Sequence, residues 1–120
     1  MLVKTSELIG PALDWAVART LGGERKPFRF SSNEDAPMDM AWVFPDGYAC
    51  TRWAPSTDWS QGGPLIDKFA PLFTAWRGQV RAEVLGGVGM GDTYLIAACR
   101  AIVAAKLGDQ VDVPDDLMQS

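Results

Sequence analysis

An α+β fold, with two amphipathic helices packed on one face of a small antiparallel sheet, follows from three features of the sequence. Near each end lies a run with apolar residues at helical spacing, and between them are short runs that alternate with period two. Glycine or proline punctuates the junctions. With 120 residues the chain makes one domain, 1–120, whose last stretch, 109–120, is acidic.

Gly10-Pro11 opens the first helix, because proline suits the first helical turn. Leu13, Ala16, Val17 and Leu21 form one stripe, and Gly22-Gly23 stops the helix, which is predicted over about 11–21. Ser6 is placed to cap a short turn ahead of it, through Ile9. Residues 24–37 are polar and broken by Pro27 and Pro37, and Phe28-Arg29-Phe30 reads as an edge strand or an extended loop. Met38, Met40, Trp42 and Phe44 then alternate, Pro45-Asp46-Gly47 turns the chain, and Tyr48 to Trp53 returns as the second arm of a hairpin.

Ser56 to Pro64 reads as an ordered loop, since Gly62-Gly63-Pro64 fits neither a helix interior nor a central strand. Pro64 then starts a short helix through Phe69, and Pro71 interrupts it. Ala75 to Arg77 and Gln79 to Leu85 read as strand, with Val80, Ala82 and Val84 on one face and Arg81 and Glu83 on the other. The glycine run 86–91 has neither the GxGxxG nor the GxxxxGK spacing of a phosphate loop, and Asp92 would repel an anion, so it reads as a flexible connection. Asp92 or Thr93 caps the second long helix. Ile96, Cys99, Val103 and Leu107 form its stripe, Gly108 ends it and Pro114 bars its resumption. Neither helix is stable alone at this length, so both stripes are expected against the sheet.

Composition removes several chemistries. The absence of histidine excludes a Ser-His-Asp triad, a Cys-His pair and any histidine-bearing zinc site. Cys50 and Cys99 are too few for a four-cysteine site and are expected as buried free thiols. No metal or cofactor is expected. A net charge of −4 argues against a duplex nucleic acid partner. No apolar run approaches the ~20 residues that span a bilayer, and the N-terminus lacks a basic region followed by an apolar core. A soluble, cytoplasmic protein without membrane contact is therefore expected.

Among the five tryptophans, Trp15, Trp42, Trp53 and Trp76 are expected as core anchors, whereas Trp59 has only polar neighbours. The candidate site is built around it: Ser56, Thr57, Asp58, Trp59, Gln61, Gly62 and Gly63, with Arg52 and Trp53 close by in sequence. One reading makes these side chains turn and cap groups that satisfy the loop backbone. The other makes Asp58 the floor of a polar pocket with Trp53 and Trp59 as stacking walls, suited to a nucleobase or a peptide aromatic. A carboxylate acting as general base needs a second polarising group, and the segment supplies none, so an enzyme is not expected.

Three blocks carry a resemblance. Thr5-Ser6-Glu7-Leu8 with Ala12 to Ala18, Ser56-Thr57-Asp58-Trp59 with Gln61-Gly62-Gly63-Pro64, and Leu95 to Arg100 with Lys106 to Asp109 and Val111 to Pro114 resemble the phage NinX-like family of small proteins, in the family's order. Residues 24–50 and 68–91 match it poorly. The resemblance implies a phage or prophage accessory protein and carries over no reaction and no catalytic residue. The expectation is a non-catalytic modulator that binds a host protein, with sequestration of a small nucleotide-like molecule as the alternative. A helix stripe left exposed would instead mark an interface between copies of the chain.

Overall fold

The computed structural model describes residues 1–118; the last two residues of the acidic end lie outside the described residues. The fold is α+β, and its strands form three separate antiparallel sheets. The chain begins with strand β1 (Leu2–Lys4), which pairs with β8 (Gln110–Asp112), Val3 opposite Val111. The N-terminal ammonium reinforces this closure by donating to Asp112 Oδ1 at 2.9 Å and to the Val113 carbonyl at 2.8 Å. Val111 and Val113 are buried while Asp112 faces outward, so residues 110–112 of the acidic end form a strand in a sheet.

A single 3-10 turn, Thr5–Glu7, precedes α1 (Gly10–Thr20). No side chain caps that turn; Thr5 is the anchoring hydroxyl instead of Ser6, donating to the Gly108 carbonyl at 2.6 Å. Leu13, Ala16 and Val17 are fully buried, as their spacing predicts, and Leu21 is packed against the core from the helix end. The second sheet comprises β2 (Glu24–Phe28), β3 (Asp39–Val43) and β4 (Ala49–Cys50). The hairpin between β3 and β4 turns at Pro45-Asp46-Gly47, where Phe44 accepts from Gly47 and donates to Tyr48 through the backbone. Pro27 sits in an edge strand, the one sheet position that tolerates a missing N–H.

The segment read as a loop is largely helix. Helix α2 spans Trp59–Phe69, with Asp58 as its N-cap and Pro64 inside it. Two physical reasons override the glycine-proline signal. Gly62, Leu65, Ile66 and Phe69 fall at i, i+3, i+4 and i+7, so a glycine forms part of the packed stripe. A Cβ at Gly62 would run into the Pro55 carbonyl and Leu95, so only glycine lets α2 approach this closely. Pro64 deprives the exposed Ser60 carbonyl of a partner, and water can serve it there.

The third sheet orders β5 (Leu72–Trp76), β6 (Gln79–Val84) and β7 (Gly87–Gly91). Arg77 and Gly78 both have positive φ, 51° and 79°, as a two-residue type I′ hairpin requires. Val80, Ala82 and Val84 face inward. The glycine run is no flexible connection: it is a strand whose alternate glycines lie against α3 (Tyr94–Leu107). Thr93 caps α3, its hydroxyl accepting from the Ile96 N–H at 3.1 Å.

The helices lie to one side of the third sheet. Of these, α3 packs directly on β7 and β6, and α1 and α2 pack on α3. The α1 stripe therefore meets chiefly another helix. With neighbours on several sides, α3 buries Ala97, Ala98, Cys99, Ala101, Ile102 and Val103, a wider face than the expected stripe. Leu107, in its last turn, is 39% exposed. Because alanines and glycines bring these layers close together, the core has little room for indoles. No tryptophan is fully buried: Trp15 and Trp53 are partly buried and packed against the core, Trp42 is partly buried, and Trp76, contrary to expectation, is 61% exposed.

Candidate functional site

The residues around α2 divide into those that build the segment and those that face outward. Asp58 Oδ1 accepts the Ser60 N–H at 2.9 Å and the Ser60 hydroxyl at 2.7 Å, the geometry of an N-cap. These two donors hold its carboxyl below the usual carboxylate range. Gln61 is spent in the same way. Its Oε1 accepts the Ala54 N–H at 2.7 Å and its Nε2 donates to the Arg52 carbonyl at 2.6 Å, which ties the loop 52–54 to the helix.

Ser56 lies inside the protein, its N–H donating to Asp14 Oδ1 at 2.9 Å. Its hydroxyl oxygen is buried without a hydrogen-bond partner among the described residues. Asp14 is itself buried on α1, and that burial pushes its carboxyl above the ordinary range against the pull of the Ser56 N–H. Thr57 and Arg52 are exposed, Gly62 is buried by its close approach, and Gly63 is partly buried. Trp59 opens α2 with 59% of its surface exposed.

The nine expected site residues thus do not form one pocket. Trp53 and Gln61 line a groove of about 390 Å³ between α2 and the β3–β4 turn, together with Phe44, Tyr48, Pro64 and Lys68. Its aromatic wall is continuous: the Phe44 and Trp53 centroids are 4.7 Å apart, and Tyr48 lies 5.9 Å from Phe44 and 6.3 Å from Trp53. The Trp53 ring is held in place by its indole N–H, which donates to the Asp14 carbonyl at 2.9 Å. Sequence reasoning missed Phe44 and Tyr48. The available signal was that two aromatics flank the Pro45-Asp46-Gly47 turn, so both project from the same end of the hairpin.

Chemically, this is a surface for apolar and aromatic contact with a few polar groups on its rim, Ser60, Asp46 and Lys68. Burial raises the Cys50 thiol and pushes Cys99 up to about 12, so neither is poised as a nucleophile. Among the described residues no three His, Cys, Asp or Glu side chains converge as a metal site would require. Among them also, no helix is long and apolar enough to cross a membrane.

A comparison with curated proteins finds no match. The family model described as Bacteriophage P22, NinX matches residues 4–106, which include α1, the groove with α2, and all but the last residue of α3, and the chain belongs to that phage family.

Proposed function

We propose that the protein is a phage accessory protein that acts by binding, and that the groove between α2 and the β3–β4 turn receives an apolar or aromatic segment of a host protein. The carrying observation is the aromatic wall of Phe44, Tyr48 and Trp53 facing α2, with the exposed Trp59 at the start of the same helix. An exposed indole beside a preformed apolar groove is the usual composition of an interface centre. A small nucleotide-like ligand is less well supported. The groove is not lined by Asp58 or Trp59, and the Gln61 amide, which would read a base edge, already has backbone partners on both its oxygen and its nitrogen. Arg52, Thr57 and Asp58 then belong to the outer rim or to the cap.

A photo-crosslinking residue at position 68, used in extract of the host, tests the reading. One specific host protein should be captured, and Trp59→Ala or Tyr48→Ala should abolish capture while the melting temperature moves little, since Trp59 is 59% and Tyr48 46% exposed. Capture that both variants leave unchanged would overturn the role of the groove. A stoichiometric small molecule in native mass spectrometry, displaced by no host protein, would favour the alternative.

A further inference from the structure

Beside the groove, on the other side of Trp53, lies a larger cleft of about 560 Å³. Three of the five tryptophans line it, each from a different segment: Trp15 from α1, Trp42 from β3 and Trp53 from the loop after β4. Asp14 also lines it, 6% exposed, and its described hydrogen bond engages Oδ1 alone. The exposed Asp116 and Arg25 complete the rim, so two carboxylates stand against one guanidinium.

We infer that this cleft binds an organic cation, an alkylammonium or guanidinium group, seated among Trp15, Trp42 and Trp53 and facing the carboxylates of Asp14 and Asp116. Indole faces carry the strongest negative quadrupole among side chains and attract such cations, all the more where water is displaced. The site is partly preorganised: the Trp53 indole is pinned to the Asp14 carbonyl at 2.9 Å and packed on Phe44 from the groove side. Trp15 already has a guanidinium near its ring, Arg19, 5.8 Å from the centroid. A phosphate-bearing ligand suits the lining less well, because Arg25 is the one cationic residue among the described lining residues, Arg19 standing behind Trp15, and the buried carboxylate would oppose an anion. The inference is independent of what occupies the α2 groove.

The experiment follows the indole N–H resonances of the whole chain by NMR during titration with choline, with its uncharged isostere 3,3-dimethylbutan-1-ol, and with AMP. Choline should shift the resonances of Trp15, Trp42 and Trp53 and leave Trp76 unmoved, and the isostere should bind about ten-fold more weakly. Trp42→Leu should weaken choline about ten-fold, whereas Trp76→Leu, at an exposed position on the third sheet, should change nothing. Arg25→Gln gives the deciding sign: removing a like charge should tighten choline binding about two- to five-fold, whereas an anion site would lose affinity for AMP. Spermidine and a peptide with a single lysine distinguish a free polyamine from a partner's side chain as the source. Equal binding of choline and its isostere, AMP binding weakened by Arg25→Gln, or no shift with any cation would each overturn the inference.

Discussion

In β7 every second residue is glycine, and at Gly87, Gly89 and Gly91 a Cβ would fall on the backbone of α3 or on Ile96. In α2 the two glycines are adjacent, and only Gly62 is crowded, against Pro55 and Leu95; a Cβ at Gly63 would find its nearest neighbour 3.9 Å away, on Trp59. The first segment uses glycine to bring a helix axis onto a strand, so that the layers share a core of alanines and valines. The second uses one glycine for a local approach to Pro55 and Leu95 and leaves Trp59, at the start of the helix, facing outward. Glycine composition alone does not separate the two cases. The period does, because alternate glycines mark one face of a strand, while Gly62 belongs to a helical stripe.

Four groups of variants break or sharpen this contrast. Gly89→Ala should have the largest effect, costing about 3 kcal/mol in denaturant unfolding, because its Cβ would overlap the α3 backbone at Ala97 and Ala101 and neither layer can yield. A loss below about 1 kcal/mol would mean that the layers separate easily. Val103→Ala, at a fully buried position on the same helix, should cost about 1–3 kcal/mol.

The adjacent glycines of α2 should respond unequally. Gly62→Ala should destabilise by about 1–3 kcal/mol, whereas Gly63→Ala, whose methyl meets little beyond Trp59 but sits in the helix directly before Pro64, should change stability by less than about 1 kcal/mol. Equal losses at both positions would remove the distinction between a packing glycine and a permissive one.

A smaller effect is expected at the junction of the two regions, where Asp14 is buried beside Ser56. Burial raises the Asp14 carboxyl, so the stability tied to its protonated form is complete below the unfolded value of 3.8 and is lost as pH rises through the folded value. Asp14→Asn keeps an oxygen for the Ser56 N–H and should gain in melting temperature relative to the parent as pH climbs from 3 to 7. Asp58, held low by Ser60, acts in the opposite sense and loses its contribution as pH falls, but it is common to both proteins and cancels in the comparison, so a difference that runs the other way would mean that the Asp14 carboxyl is held low instead.

Much of the architecture was legible as pattern. The helix ends at Gly10-Pro11, Gly22-Gly23, Thr93 and Gly108, the inward face Val80, Ala82 and Val84, and the hairpin about Pro45-Asp46-Gly47 each depend on a few neighbouring residues, and local geometry suffices to set them. The resemblance to a phage family likewise rested on residue order alone. What local chemistry does not contain is which element supplies the other side of a contact. That Gly62 needs Pro55 and Leu95, that Gly87, Gly89 and Gly91 need α3, and that Trp15 and Trp42 meet Trp53 at one cleft depend on segments far apart in the chain. The same holds for Gln61: the sequence leaves its amide to a partner or to the loop backbone alike, and the fold binds it to Ala54 and Arg52. Periodicity says that a face is buried; only packing decides what buries it, because burial energy is non-directional and a turn or cap is not.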